Sequence, residues 1–272
     1  MSIVFLVFIF GLVVGSFLNV VILRGAAGQS LTGRSCCQSC QKILSWSELI
    51  PVFSFVIQKG RCRNCGVVLY WQYPLIELAT GIFYAGAVYL FYPVLSFDVW
   101  SVVLIIGSFA GIGAGIVIFV SDLKYQIIPF GPAIVLFLLS LTVAVWRAIY
   151  LPLWSSSVLG SFLYDLGAAF IFSLFFASLW FFSRGRWMGL GDAKLVLATS
   201  LIVGFPMSLT AFLFSFWLGG VAGLVLLAFR KKEWQSRLPF GPFILIGTAL
   251  AYFYSAKFLA LTGLTELIYL LK

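Results

Sequence analysis

The 272-residue chain contains no histidine, and that single absence removes several chemistries at once. A Ser-His dyad or triad, an HExxH zinc site and a haem ligated by histidine all need an imidazole, so none can be built here. Charge is nearly as scarce: Asp, Glu, Lys and Arg together make up 9% of the residues, against 62% hydrophobic ones and a mean hydropathy of +1.13. Those values lie outside the soluble globular range and specify an integral membrane protein.

Eight apolar runs approach or reach the roughly 18 to 20 residues that cross about 30 Å of hydrocarbon as a helix. They are expected near Ser2 to Leu23, Pro74 to Leu95, Val99 to Val120, Phe130 to Tyr150, Leu159 to Ser183, Ala193 to Gly204, Met207 to Phe229 and Pro239 to Ala260. The sixth is short enough to be a broken or cavity-lining helix instead of a full span. The first lacks a basic leading region and begins apolar at Ile3, so it reads as a mature helix and not a cleaved signal. The expected fold class is an all-α membrane protein of about eight transmembrane helices, with a loop domain between the first two. Its expected organisation is 1–23 as the first helix, 24–73 as the loop, and 74–272 as a multi-helix membrane domain.

Lys and Arg accumulate in cytoplasmic loops, and here they fall mostly on one side of an eight-span arrangement. Arg24, Arg34, Lys42, Lys59, Arg61, Arg63, Lys124, Arg184, Arg186, Lys194, Arg230, Lys231, Lys232 and Arg237 share that side, whereas Arg147, Lys257 and Lys272 fall opposite or at its edge. The loop from Arg24 to Tyr73 is therefore predicted inside and the N-terminus outside. The net charge of +9 is then a topology signal, and no nucleic-acid partner is expected.

That loop carries a metal signature, RSCCQSCQK followed by GRCRNCGVV. Cys37, Cys40, Cys62 and Cys65 form two CxxC knuckles, which offer four thiolates in tetrahedral array and suit a closed structural Zn²⁺ site with no position left for a catalytic water. The competing reading, free or disulfide-bonded thiols, sits poorly with a cytoplasmic loop. Cys36 reads as an uncommitted neighbour.

Two of the eight acidic residues, Asp122 in FVSDLKYQIIP and Asp192 in GLGDAK, stand at predicted cytoplasmic helix ends in very apolar surroundings. An ionisable group near hydrocarbon is costly and marks a candidate functional site. Two carboxylates held together do not both ionise easily, so one can take a proton from water while the other protonates a departing group. Gly189 and Gly191 would give the backbone unusual dihedrals and let it approach a substrate strand closely. The plainer alternatives remain open on the residues alone: Asp192 as a helix N-cap, and Asp122 as a helix-end charge paired with Lys124.

Taken together, GSFLNVVILR at Gly15 to Arg24, the paired CxxC motifs, WSELIPVFSF at Trp46 to Phe55, YPLIELAT at Tyr73 to Thr80, SDLKYQIIP at Ser121 to Pro129, GLGDAKL and PFGPFILIG at Pro239 to Gly247 resemble the type IV prepilin peptidases, in family order along nearly the whole chain. The resemblance implies a polytopic inner-membrane aspartyl protease of the GxGD type. Such an enzyme removes the short basic leader of type IV prepilins or type II secretion pseudopilins, cutting after a Gly on the cytoplasmic side. It implies Asp122 and Asp192 as the catalytic pair. It further implies N-methylation of the new amino terminus from S-adenosylmethionine, with the loop as its seat and Glu48 as a participant. Glu48 reads equally as a solvated charge paired with a loop Lys or Arg.

A basic leader arriving at a basic face sets up a tension, which Glu48, Glu77, Asp122, Asp192 or anionic lipid head groups would relieve. Asn19 inside the first span reads as seeking an interhelical partner, Asp165 as structural, and SFAGIGAGIV at Ser108 to Val117 as a close-packing helix face. Two rivals use the same residues differently: a proton-coupled transporter relaying protons through the aspartates, and a non-enzymatic assembly factor that docks through its zinc loop.

Overall fold

A computed structural model describes residues 2–91, 99–151, 157–229 and 238–262. Among them the regular structure is helical, with isolated bridges in place of strands. The helices are α1 (Ser2–Ala26), α2 (Phe53–Ile57), α3 (Gln72–Phe91), α4 (Val99–Tyr125), α5 (Phe130–Tyr150), α6 (Val158–Ser183), α7 (Leu190–Val203), α8 (Met207–Ala228) and α9 (Gly241–Thr262). Helices stand at all eight expected places, and six of them (α1, α3, α4, α5, α6 and α8) are long and apolar enough to cross a membrane. The count of full spans is thus lower than the sequence suggests. With 14 residues, α7 rises only about 21 Å, and the apolar stretch of α9 is the shorter Gly241–Ser255. The expected end of the second span, Leu95, lies outside the described residues, as do Arg230, Lys231, Lys232 and Arg237.

The chain divides into two compact units, Met1–Val120 and Ser121–Lys272, with the division inside α4. In the first unit α1 and α3 approach closely because glycines face each other. A Cβ on Gly11 would lie 2.7 Å from the Cα of Gly81, and one on Gly15 would lie 2.7 Å from the Cα of Glu77. Asn19 finds the partners its place demands: its amide donates to the Tyr73 carbonyl at 3.2 Å and its oxygen accepts from Gln72 at 3.4 Å. Tyr84 of α3 donates to the Phe109 carbonyl of α4 at 2.8 Å and stacks on the Phe109 ring.

The second unit is built around α7. Ala144 of α5, Ala169 of α6 and Leu201 of α7 are fully buried against one another, with Phe137, Leu141, Phe162, Leu166 and Leu197 packed around them. On another side Val203 meets Ala211 of α8 and Ala251 of α9. Small residues at the closest approaches are the usual currency of helix packing in lipid, where apolar surface alone gives little drive to associate. A set of Phe rings, Phe176, Phe212, Phe216 and Phe240, fills the space between α6, α8 and the start of α9.

Candidate active site and metal centre

Asp122 stands one turn before the end of α4, and the chain then turns through Gln126, at φ +55°, to reach α5. Asp192 stands in the first turn of α7. Both are buried, and both line one cavity of about 270 Å³ together with Gly189, Gly191, Arg186 and Phe240. Residues 70 positions apart in the chain, both expected to share a site, are thus brought to one place.

Each carboxylate is held by one backbone N–H. Gly189 donates to Asp192 Oδ2 at 3.1 Å, and Gly241, the first residue of α9, donates to Asp122 Oδ2 at 2.8 Å. Among the described residues neither Oδ1 accepts a further bond. The anchoring therefore fixes one oxygen of each group. Asp192 is not itself the N-cap: Gly189 is, and Asp192 reaches back to its N–H from the third helical position, as acidic residues do in a capping box. The bond to the helix start and the place on the cavity wall belong to one side chain.

Gly189 and Gly191 differ from the expectation of unusual dihedrals. Gly189 takes ordinary extended backbone, φ −82° and ψ 149°, and Gly191 is helical. Close approach is what Gly191 supplies: a Cβ there would lie 3.2 Å from Ile128 side-chain atoms. The left-handed backbone of this stretch falls earlier, at Arg184 and Gly185, where α6 ends. Gly241 is a residue that reading by motif passes over. Its Cβ would lie 2.8 Å from Asp122 Oδ2, so glycine is what permits the N–H to reach the carboxylate. The signal was present in PFGPFILIG, a glycine between prolines at a helix start, but nothing in the string tells which side chain it faces.

The loop of the first unit repeats one turn twice. Cys37 N–H donates to the Lys42 carbonyl and Gln41 N–H to the Cys37 carbonyl; Cys62 N–H donates to the Val67 carbonyl and Gly66 N–H to the Cys62 carbonyl. Equivalent positions Gln41 and Gly66 both take positive φ, at +56° and +71°. The four Sγ atoms of Cys37, Cys40, Cys62 and Cys65 all lie within 4.8 Å of one another, with Cys37 and Cys65 at 3.9 Å. Sulfurs at about 2.3 Å from a tetrahedral ion stand close to that far apart, so the cluster fits a bound metal. Backbone N–H of Lys42, followed by the Asn64 side chain, draws the Cys40 thiol down to about 6, and N–H groups of Cys65 and Asn64 lower Cys62. Cys65 is pushed up to about 11: the Val67 N–H favours its thiolate, but desolvation and the neighbouring sulfurs outweigh it. A cation at the centre would relieve that mutual opposition. Cys36 stays outside the cluster, exposed, 3.5 Å from Gln41 Oε1.

Glu48 sits in a single 3₁₀ turn, Trp46–Glu48, and is buried. Its Oε2 accepts from the Ser45 N–H and the Ser45 hydroxyl, both at 2.8 Å. Those bonds, led by the backbone one and aided by Lys42, hold its carboxyl below the usual range. Oε1 is buried without a hydrogen bond, 3.6 Å from Lys42 Nζ. Glu77, buried on α3, accepts the Val52 N–H at 2.7 Å, and Val52 carries φ +63°. A β-branched residue in that region is strained and persists only when its surroundings hold it there. Sequence alone could not have singled out Val52, because its residue type argues against the conformation it adopts.

Residues 9–91 match the Bacterial Peptidase A24 N-terminal domain, and residues 109–224 match the Type IV leader peptidase family. A prepilin leader peptidase/N-methyltransferase of Bacillus subtilis (strain 168) is 32% identical over 250 residues, 92% of this chain and 93% of that protein. The chain belongs to the prepilin leader peptidase/N-methyltransferase family. A relative of the same description from Burkholderia pseudomallei (strain 1026b) is 30% identical across 94% of this chain and 86% of its own. One from Myxococcus xanthus (strain DK1622) is 49% identical over a 78-residue stretch, 28% of this chain and 23% of its own. No solved structure matches the chain. Within this family chain, the four cluster cysteines and Glu48 fall in the first matched segment and both cavity aspartates in the second.

Proposed function

We propose that this multi-pass membrane enzyme removes the leader peptide of type IV prepilins or type II secretion pseudopilins, and N-methylates the new terminus. In this reading Asp122 and Asp192 are the cutting pair, and 74–272 holds the protease. The observation that carries it is the pair itself: two buried carboxylates on separate helices, each anchored through one oxygen and facing one cavity. One carboxylate takes a proton from water, the water oxygen adds to the scissile carbonyl, and the other delivers a proton to the departing nitrogen. No covalent intermediate is required. Gly189 and Gly191 keep the approach to Asp192 free of side chains.

The zinc site would be held by Cys37, Cys40, Cys62 and Cys65, and as a closed four-sulfur site it would supply folding energy to the 24–73 loop. S-adenosylmethionine would supply the methyl group; Glu48, whose Oε1 is paired with Lys42 at 3.6 Å, would take part by exchanging that cation for the new amino terminus. The basic residues of the loop, and separately those of the α6 to α7 turn, support a cytoplasmic position for each in a bacterial inner membrane.

Purified protein incubated with a prepilin tests the reading. Asp122→Asn and Asp192→Asn each preserve size but remove proton exchange, and each is expected to lower leader cleavage by at least about a thousandfold while membrane insertion persists. Near-normal cleavage by either variant eliminates that residue from the pair.

A further inference from the structure

We propose that Arg147 of α5 and Asp165 of α6 clamp the far end of α7, and that they are positioning residues for cleavage because α7 carries Asp192; this rests on reading Asp122 and Asp192 as the cutting pair. The end of α7 is buried, and a buried helix end leaves up to four carbonyls in want of partners. Arg147 answers that want. Its Nη1 donates to the Ile202 carbonyl at 2.7 Å and its Nη2 to the Leu201 carbonyl at 3.0 Å. The remaining donors turn to Asp165 Oδ2, from Nε at 3.0 Å and Nη2 at 2.7 Å. Asp165 Oδ1 is used as well, accepting the Phe205 N–H at 2.8 Å, just past the helix. Gly204 between them has φ +71°, and the guanidinium occupies the space where a Cβ would project. Two helices are thereby tied to named backbone atoms at and just past the end of a third, short one.

Asp165 is buried and Arg147 half-buried: side-chain exposure is 7% and 13%. A buried ion pair is weak evidence for stability, since apolar residues of similar volume often serve as well. What it provides instead is a defined position. Apolar contacts such as Ala144 and Ala169 against Leu201 would tolerate sliding along the helix axis, whereas hydrogen bonds to particular carbonyls would not. Asp192 lies nine residues before Leu201 on the same rod, about 14 Å away at 1.5 Å per residue. Ser173 of α6 holds the near end, donating to the Ala193 carbonyl at 2.9 Å. A shift at the clamp therefore becomes a shift of the Asp192 carboxylate, and misplacement of about 1 Å can cost about a hundredfold in rate.

The test uses the full chain in detergent or lipid, with Arg147→Lys and Asp165→Asn as two independent variants and Asp192→Asn as control. Lysine keeps the charge beside Asp165 but lacks the planar fork that reaches two carbonyls and a carboxylate together. The expected result is a kcat for leader cleavage lowered about 10- to 100-fold at unchanged KM, with methylation of a pilin supplied already cleaved left intact. A general loss of folded protein would lower both reactions together, and that outcome overturns the proposal, as does unchanged kcat in either folded variant. If Asp192→Asn itself still cuts, the site reading fails and the clamp loses its purpose; if Asp192→Asn is inactive while both clamp variants cut normally, the clamp alone fails.

Discussion

The 24–73 loop and the Ser121–Lys272 unit keep their order by different means. The loop has little apolar interior; it is held by paired turns, by the Ser45 bonds to Glu48, by the Glu77 hold on Val52 and by four converging sulfurs. In the helical unit order comes from packing around α7, and among the described residues the buried carboxylates are divided in role. Asp165 is fully committed through both oxygens, whereas among the described residues Asp122 and Asp192 each engage only one. Where polar groups are fully paired they hold structure; where they are half-paired next to a cavity they are available for proton transfer.

Removing the metal should separate the two regions most sharply. Structural zinc contributes roughly 10 to 16 kcal/mol to small domains that depend on it. Elemental analysis is expected to find about one zinc per chain, lost in Cys62→Ser together with the loop's resistance to proteolysis, while the helical unit keeps its melting behaviour. A loop that stays fully ordered without metal would show that the turns alone suffice.

A smaller effect is expected at Gly241. An alanine there places a Cβ 2.8 Å from Asp122 Oδ2 and 3.3 Å from its Cγ, so the carboxylate must rotate or α9 must withdraw its N–H. Cleavage by Gly241→Ala should fall about a hundredfold, in line with a 1 Å misplacement, with methyl transfer unaffected. Equal loss of both reactions would mean that the two regions are not independent.

The helices were legible because apolar runs of spanning length admit little else, and the sulfur cluster because CxxC spacing restricts geometry. The aspartates were legible as anomalies, charges placed where charge is costly. The partners of those charges were not. In the string Arg147 is an exception to the topology rule and Asp165 a structural charge, and only the helix packing shows that these residues, 18 apart, pair with each other and bond the backbone at and just past the end of a third helix. The short length of α7 is visible in the string, but its physical sense, a helix that ends inside the protein with its carbonyls capped by a side chain, depends on tertiary contacts that no periodicity encodes.

The mildest expected effect lies at Glu48 and sharpens the contrast from the loop side. Its carboxyl sits below the usual range because Ser45 N–H, the Ser45 hydroxyl and Lys42 favour the ionised form. A group with a depressed folded value contributes stability above its unfolded value, about 4.3, and loses that contribution as pH falls through the folded one. Glu48→Gln keeps an acceptor for the Ser45 N–H but cannot titrate. At pH 7 the variant loop should therefore exchange its amides somewhat faster than the wild type, and the difference should shrink toward zero as pH drops below about 4. The comparison is read over the pH range in which both chains keep the same metal content. A difference that stays constant from neutral to acid pH would assign the hold on this turn to the shape of the side chain and not to its charge.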